Sequence, residues 1–277
     1  MLFRLAISIC ALLAGPGCDS VVRDAIYHPP EAPLSLAGLP AGTEIVAVKT
    51  ADGLTLSGIA TPARGDRPIL LLFHGNAASA SSMLRWFAPL AEAGFGIVAA
   101  EYRGYSGNPG TPSQDGIAYD ADAFLTLAET LARDRPVIVI GHSLGGGVAF
   151  DLSRRARLDA LVTIGTFTSI EDMAPAWGRG LVPDSYDNLS AVRAADEPVF
   201  LIHGRRDSVV PFDHSERLAR AATQAGLAGG RTTLATADHI PAAGDIAIVV
   251  EAVAARLAVQ QDGDRPSAIS AWQNFVD

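Results

Sequence analysis

The chain has 277 residues, of which 49% are hydrophobic and 18% are charged, so it can bury a sizeable core in one large domain or two small ones. Its 21 Lys and Arg residues against 30 Asp and Glu residues give a formal net charge of −9. This balance argues against a nucleic-acid partner and disfavours a polyanionic substrate, because no basic surplus exists to neutralise phosphates.

The N-terminus has the features of an export signal. Arg4 precedes an apolar run at residues 5–14, which is far shorter than the roughly 20 residues of a membrane-spanning helix. The segment ending at Cys18 resembles a bacterial lipoprotein signal, in which the cysteine becomes the lipidated first residue. We therefore predict a signal peptide at 1–17, export to the cell envelope or periplasm, and membrane attachment through Cys18. An ordinary signal peptide and a short uncleaved anchor are the alternatives.

The cysteine positions agree with this prediction. The two cysteines of the chain are Cys10 and Cys18, and both lie in the leader region. The mature domain is therefore expected to have no internal disulfide, no cysteine nucleophile and no cysteine metal site.

The first elements after the leader are a tether and a hairpin. Residues 18–42, rich in Pro, Leu and Ala, are predicted to form a loosely structured tether. Residues 44–50 and 54–61 alternate in polarity around an Asp-Gly turn signal and predict an antiparallel hairpin. The continuous apolar run at 68–74 is typical of a strand buried on both faces.

Strands and helices then alternate along the chain. Further strands are predicted at 95–100, 136–141, 160–164, 198–203 and 231–235. Helices are predicted at 81–93, 116–132, from Ser143 onward, at 215–225 and at 246–260. This order predicts one α/β domain at 43–261, with a mostly parallel sheet flanked by helices on both faces. Residues 262–277 are predicted to be a polar, peripheral tail.

The turn Gly141-His142-Ser143-Leu144-Gly145 lies between a predicted buried strand and a predicted helix. This setting exposes a serine nucleophile at the edge of a parallel sheet. Glycines two positions before and after the serine avoid collisions with the neighbouring strand and helix. We predict that Ser143 is the nucleophile. The alternatives are a glycine-rich helix cap or a phosphate-binding turn, although the sequence contains no Gly-x-x-x-x-Gly-Lys-Ser/Thr motif.

A serine nucleophile needs a histidine base that is oriented by a carboxylate. In this kind of site the chain order is serine, then Asp or Glu, then His. His239 fits as the base because it lies in a loop after the last predicted strand. The other histidines fit less well by position: His28, His74, His142, His203 and His214. His142 is expected to point away from the serine, and His74 to be structural.

Asp207 is the predicted acid, because it follows the end of the predicted strand 198–203, at the edge where catalytic groups of parallel sheets collect. Asp213 and Asp238 are rivals, and Asp207 could instead cap the next helix. The oxyanion hole is predicted to combine the backbone N–H groups of Leu144 and Asn76, with Ala77 as second choice for the latter. This chemistry needs no cofactor and no metal.

Five segments, in this order, resemble one family: residues 74–77 (HGNA), 101–107 (EYRGYSG), 141–146 (GHSLGG), 167–170 (FTSI) and 203–207 (HGRRD). Over roughly residues 44–260 the chain resembles the Bem46-like α/β-hydrolases and is similar to the related ABHD-type lipid and thioester hydrolases. The resemblance implies an α/β-hydrolase fold with Ser143, Asp207 and His239 as the triad and with Asn76 and Leu144 as the oxyanion amides. Tyr102 and Arg103 are read as structural supports of the pocket floor.

The residues at 167–197 lie where such folds insert a short lid, long enough for one or two helices. Apolar side chains in this lid either line an acyl pocket or pack it onto the core: Met173, Pro175, Trp177, Leu181, Val182 and Tyr186. The resemblance implies hydrolysis of acyl esters or thioesters, and we predict a carboxylesterase, a lysophospholipase-like enzyme or a thioesterase that acts on small-molecule or lipid acyl esters. A serine peptidase of the same fold and a catalytically silent binding protein are the alternatives.

Overall fold

The computed structural model describes residues 18–261, so the predicted signal peptide at 1–17 and the tail at 262–277 lie outside the described residues. Within residues 18–261 the strands are β1 (Glu44–Lys49), β2 (Thr55–Thr61), β3 (Ile69–Phe73), β4 (Gly96–Ala100), β5 (Val137–His142), β6 (Ala160–Ile164), β7 (Val199–Gly204) and β8 (Gly229–Leu234). They form one sheet in the order β1-β2-β4-β3-β5-β6-β7-β8.

The sheet is mostly parallel, as the sequence predicts. β1 pairs antiparallel with β2 from Glu44↔Ala60 to Lys49↔Thr55, and this pairing confirms the predicted hairpin. β2 also pairs antiparallel with β4. All pairs from β4 to β8 are parallel, so the carboxyl ends of β3, β5, β6, β7 and β8 meet at one edge.

The helices of the described residues are α1 (Cys18–Ile26), α2 (Ala80–Trp86), α3 (Ala88–Glu92), α4 (Gln114–Ala132), α5 (Leu144–Ser153), α6 (Ile170–Met173), α7 (Asn188–Ala194), α8 (Asp213–Ala225) and α9 (Ala243–Gln261), with a 3-10 helix at Ala176–Leu181. Side chains of α1, α4, α5, α7 and α8 share one core cluster, and those of α2, α3 and α9 share the other.

The two clusters lie on opposite faces of the sheet. Successive side chains of a strand point to opposite faces, so Leu71 and Phe73 of β3 join one cluster while Leu70 and Leu72 join the other. All four side chains are fully buried. A strand covered on both faces is therefore apolar throughout, and this agrees with the continuous apolar run that predicts β3.

The helix predicted at 81–93 is in fact two helices, α2 and α3. Phe87 ends the first, and Pro89 lies in the first turn of the second. A proline lacks the N–H that a continuous helix would need at this point, but it is tolerated in the first turn.

The prediction that residues 18–42 form a loosely structured tether is wrong for their first part. Residues 18–26 form α1, and Val22, Ile26 and Tyr27 are buried in the core. Val22 and Ile26 lie one helical turn apart, so both face the domain. None of the helices within residues 18–261 is long and apolar enough to cross a membrane.

The predicted lid contains α6, the 3-10 helix and α7. Its apolar side chains differ in burial. Ile170, Val182 and Tyr186 are buried and pack the segment onto the core, whereas Trp177 and Leu181 are exposed.

Candidate active site

A cavity of about 420 Å³ lies at the carboxyl edge of the parallel strands. Its lining residues come from the loop after β3, from α2, from the turn after β5 and from the loops after β7 and β8: Gly75, Asn76, Ala77, Ala78, Ser82, Met83, Trp86, His142, Ser143, Val209, His239 and Ile240. Three of the predicted site residues, Ser143, His239 and Asn76, thus share one cavity. Within the described residues, the lining includes no side chain from 167–197.

Ser143 occupies a sharp turn between β5 and α5. Its backbone has φ 52° and ψ −114°, a left-handed conformation that is costly for a residue with a side chain. The turn is held because the N–H of Ser143 donates to the carbonyl of Ile164 at 2.9 Å, and the N–H of Gly146 donates to the carbonyl of Ser143 at 3.0 Å. The strain therefore coincides with the residue predicted to be the nucleophile.

The two glycines of the turn are required by space. A Cβ at Gly141 would overlap the carbonyl of Gly145, and a Cβ at Gly145 would overlap the carbonyl of Phe73 in β3. Both obstacles are backbone atoms, which cannot rotate away as a side chain would. The steric reason that the sequence suggested for these glycines is confirmed.

Gly145→Ala is expected to lower the free energy of unfolding by about 3 kcal/mol or more, because β3 and α5 must separate to admit the new methyl group. Urea unfolding and the yield of folded protein measure this effect. Gly244→Ala in α9 is the matched control, since a Cβ there meets nothing within 4 Å. A stable Gly145→Ala protein would contradict the tight contact of α5 with β3.

Asp207 and His239 form the predicted acid–base pair. His239 Nδ1 lies 2.8 Å from Asp207 Oδ2, and the Asp207 side chain is fully buried. The other carboxylate oxygen, Oδ1, accepts hydrogen bonds from the N–H groups of Val209 at 2.9 Å and Val210 at 2.8 Å. With Nδ1 protonated to meet the carboxylate, Nε2 of His239 is left as the basic nitrogen.

The electrostatics of Asp207 keep it ionised. Burial alone raises the pKa of its carboxyl group, but hydrogen bonds from His203, His239 and the Val210 N–H outweigh burial and hold this pKa well below its ordinary value. His203 Nε2 lies 3.3 Å from Asp207 Oδ2. An ionised Asp207 at this distance is placed to stabilise a positive charge on the imidazole of His239.

The rival acids lie elsewhere. Asp238 binds the N–H and hydroxyl of Ser208 and the backbone N–H of His239, so it shapes the loop but does not contact the imidazole. Asp213 lies in the first turn of α8. The geometry therefore favours Asp207 among the three carboxylates.

The loop after β3 places Asn76 at the cavity. Ala78 N–H donates to the carbonyl of Gly75 at 3.3 Å, which closes a turn with Ala77 at φ 57°. The N–H of Ala77 donates to Oδ1 of Asn76 at 3.0 Å, so it is already engaged. This favours Asn76 over Ala77 as the oxyanion donor. Leu144 begins α5, and the first N–H groups of a helix have no partner within it.

The residues expected to be structural, His74, Tyr102 and Arg103, are buried. His74 is fully buried, with Nε2 2.8 Å from Glu101 Oε1, and Tyr102 OH donates to the carbonyl of His74 at 2.8 Å. Arg103 pairs with Asp120 and with Asp52, both at 2.7 Å. These contacts hold the loops in place and agree with a structural role.

Three residues contact Asp207 or His239 in ways that the sequence did not predict. The ring of His142 lines the cavity, its centroid is 4.7 Å from that of His239, and its Nε2 lies 3.0 Å from the carbonyl of His239. His203 contacts Asp207. A Cβ at Gly165 would lie 3.1 Å from His239 Nδ1, so this glycine leaves room for the pair. None of these contacts leaves a local sequence signal.

His142 should make the protein less stable in acid. Burial, together with the nearby His239, lowers the pKa of His142 from 6.5 to about 4. Between these values the unfolded chain binds the proton and the folded chain does not, so the free energy of unfolding falls as the pH drops. At pH 5 this amounts to about 2 kcal/mol relative to pH 7.5.

His142→Gln retains a donor for the His239 carbonyl and removes the titration. Between pH 7.5 and pH 5, the free energy of unfolding measured with urea should therefore fall by about 2 kcal/mol less for this variant than for the wild-type protein. Burial also lowers the pKa of His214, but that effect is common to both proteins. Equal losses in the two proteins would contradict the burial of a neutral His142.

The chain is similar to known proteins in both sequence and structure. The family model described as alpha/beta hydrolase fold matches residues 68–188. The uncharacterized protein Rv2307c of Mycobacterium tuberculosis is 35% identical over 213 residues, which cover 73% of this chain and 75% of that protein.

Lysophosphatidylserine lipase ABHD12 of Rattus norvegicus is 29% identical over 178 residues, which cover 55% of this chain and 45% of the lipase, so the match spans less than half of that protein. Among solved structures, the esterase Pf2001 of Pyrococcus furiosus has a TM-score of 0.65 at 18% identity. The match covers 85% of this chain and 98% of the esterase chain. At that identity the structural likeness concerns the fold.

Proposed function

Because the chain belongs to the α/β-hydrolase family, we propose that it is a serine hydrolase that cleaves carboxylic ester or thioester bonds through an acyl-enzyme on Ser143. One observation carries the proposal: Ser143 and His239 line the same cavity, and His239 is bound at 2.8 Å by a buried carboxylate. A strained serine, a base with an orienting acid and two backbone donors are the parts that acyl transfer requires.

The proposed reaction has two halves. Ser143 Oγ attacks the carbonyl carbon of the substrate while His239 Nε2 takes the hydroxyl proton. The oxyanion accepts hydrogen bonds from the N–H groups of Asn76 and Leu144, each worth about 2.7 to 4 kcal/mol in the transition state. The intermediate expels an alcohol or thiol, which leaves with the proton from His239. Water then attacks the acyl-enzyme while His239 takes one of its protons, and His239 passes this proton to Ser143 Oγ as the carboxylic acid leaves.

The cavity suits an acyl group. Met83, Trp86, Val209 and Ile240 give it apolar walls beside the serine. Apolar walls with a few polar groups bind an acyl chain and fix its carbonyl. The relative named as a lysophosphatidylserine lipase and the neighbour named as an esterase support the same substrate class.

Labelling and a substrate panel test the proposal. The protein should react covalently with a fluorophosphonate probe at Ser143. It should then hydrolyse p-nitrophenyl esters from acetyl to palmitoyl or acyl-CoA thioesters faster than aminoacyl amides. Activity on amides alone would instead indicate a peptidase. Absence of labelling would contradict a serine hydrolase of any kind.

We also propose that the protein is exported and held at a membrane by a lipid on Cys18. Since α1 begins at Cys18 and buries Val22 and Ile26 in the domain, a lipid there would keep the catalytic domain near the membrane surface. Cys18→Ser should therefore move the protein from the membrane fraction to the soluble fraction, as measured by cell fractionation. Cys10→Ser is the matched control and should stay with the membrane. Retention of Cys18→Ser in the membrane fraction would contradict this anchor.

A further inference from the structure

The side chain of Asn76 is bound to parts of the chain that are distant in sequence. Its Oδ1 accepts hydrogen bonds from the N–H of His28 at 2.8 Å and from the hydroxyl of Tyr105 at 3.1 Å. Its Nδ2 donates to the carbonyl of Ile26 and to Nδ1 of His28, the latter at 2.9 Å. Both protons of the amide group and its oxygen are therefore engaged.

These contacts hold the turn whose Asn76 N–H is the proposed oxyanion donor. The same Oδ1 accepts the N–H of Ala77 at 3.0 Å, so the side chain also closes the turn that carries the N–H of Asn76. An oxyanion donor is effective only when its direction is set before the reaction begins. A side chain whose hydrogen bonds fix the turn supplies this pre-organisation.

The N-terminal partner is itself firmly held. We call residues 22–30 the N-terminal brace. Val22, Ile26 and Tyr27 of the brace are buried, and Tyr27 OH lies 3.3 Å from Tyr186 OH in the lid. Arg23 pairs with Asp184 of the lid at 3.1 Å. The brace thus connects the lid segment to the loop of Asn76.

Tyr105, the second partner of the Asn76 side chain, is also tightly packed. Tyr105 is fully buried, and its ring lies 5.4 Å from the rings of both His74 and Tyr102. The loop of Tyr105 also meets the brace, because the N–H of Ser106 donates to the carbonyl of Pro30 at 3.1 Å. Asn76 is therefore held between two packed segments.

We propose that the Asn76 side chain is a positioning group, which holds the oxyanion N–H toward the substrate by binding the N-terminal brace and Tyr105. The part of the chain that supports catalysis then begins at about residue 22. This inference rests on the proposed function, since it assigns a role to the site of that reaction. The brace lies outside the region 68–188 that the family model matches, so it is a feature of this chain beyond the matched core.

The test uses the full-length protein with p-nitrophenyl butyrate as the substrate. Asn76→Ala should lower kcat by about 10- to 100-fold and leave KM within about 3-fold, because the lost interaction acts in the transition state. Tyr105→Phe should lower kcat by a smaller factor. The double variant should be no slower than Asn76→Ala, since Tyr105 acts through Asn76.

Asn188→Ala is the matched control. Its Nδ2 donates to the carbonyl of Phe167 at 2.8 Å, it is buried, and it does not line the cavity. This variant should lower Tm and keep kcat when assayed well below Tm.

The outcomes separate the two proposals. If Ser143 of the wild-type protein is labelled by the fluorophosphonate probe and Asn76→Ala retains the wild-type kcat, the positioning role is wrong and the proposed function stands. If the wild-type protein is not labelled, the proposed function itself fails.

Discussion

Ser143→Ala is expected to lower kcat for p-nitrophenyl esters by about 10⁴- to 10⁶-fold and to abolish fluorophosphonate labelling, because no acyl-enzyme can form without the hydroxyl. Ser143 lies in the strained turn at φ 52° and lines the cavity beside His239. Alanine lacks only the oxygen, so the fold should be retained. The measurements are kcat and the stoichiometry of labelling by mass spectrometry.

Ser82→Ala is the matched control for this variant. Ser82 is a second serine that lines the cavity, and its hydroxyl forms a capping box with Ser79 at the start of α2. Its loss should cost about 1 kcal/mol of stability and leave labelling complete. If Ser143→Ala were still labelled or Ser82→Ala were not, the nucleophile would be misassigned.

Asp207→Asn should lower kcat by about 10⁴-fold at pH 7 to 8, because an amide would favour the wrong tautomer of His239 and could not balance the charge of the protonated imidazole. Asp207 Oδ2 lies 2.8 Å from His239 Nδ1, whereas the Asp207 Oδ1 atom is held by two backbone N–H groups. KM should change little, since the carboxylate is buried and lies outside the cavity lining.

The rival carboxylates supply the controls for this second prediction. Asp238→Asn and Asp213→Asn carry the same chemical change at positions that do not contact the imidazole of His239 through their side chains. Each should stay within about tenfold of the wild-type kcat. The kcat values should be measured above pH 5, where wild-type Asp207 is ionised because its pKa is held well below its ordinary value. A larger loss for either rival than for Asp207→Asn would reassign the acid.

Several features of the site could be predicted because their signals are local. The buried strand β5, the glycines around Ser143 and the helix behind it lie within one short stretch of sequence. Asp207 and His239 could be placed because each follows a strand that ends at the same edge of the sheet. Their 2.8 Å contact follows from the parallel order of β7 and β8.

Other features depend on contacts that leave no periodic pattern. His142 contacts the base because the loop after β8 brings His239 against its ring. His203 reaches Asp207 because it lies near the end of β7 and Asp207 lies in the loop that follows. The buried lid residues Ile170, Val182 and Tyr186 pack onto the core, and the cavity is lined by other loops, although the composition of the lid allowed either arrangement.

The sequence by itself determined the alternation of strands and helices, the serine turn and the order of Ser143, Asp207 and His239, because hydrophobic periodicity and turn chemistry act over a few residues. Only the tertiary structure decided that residues 22–30 belong to the domain and that Asn76 is bound by Ile26, His28 and Tyr105. These partners are 29 to 50 positions from Asn76. Contacts over that separation form only when the packed core brings the segments together.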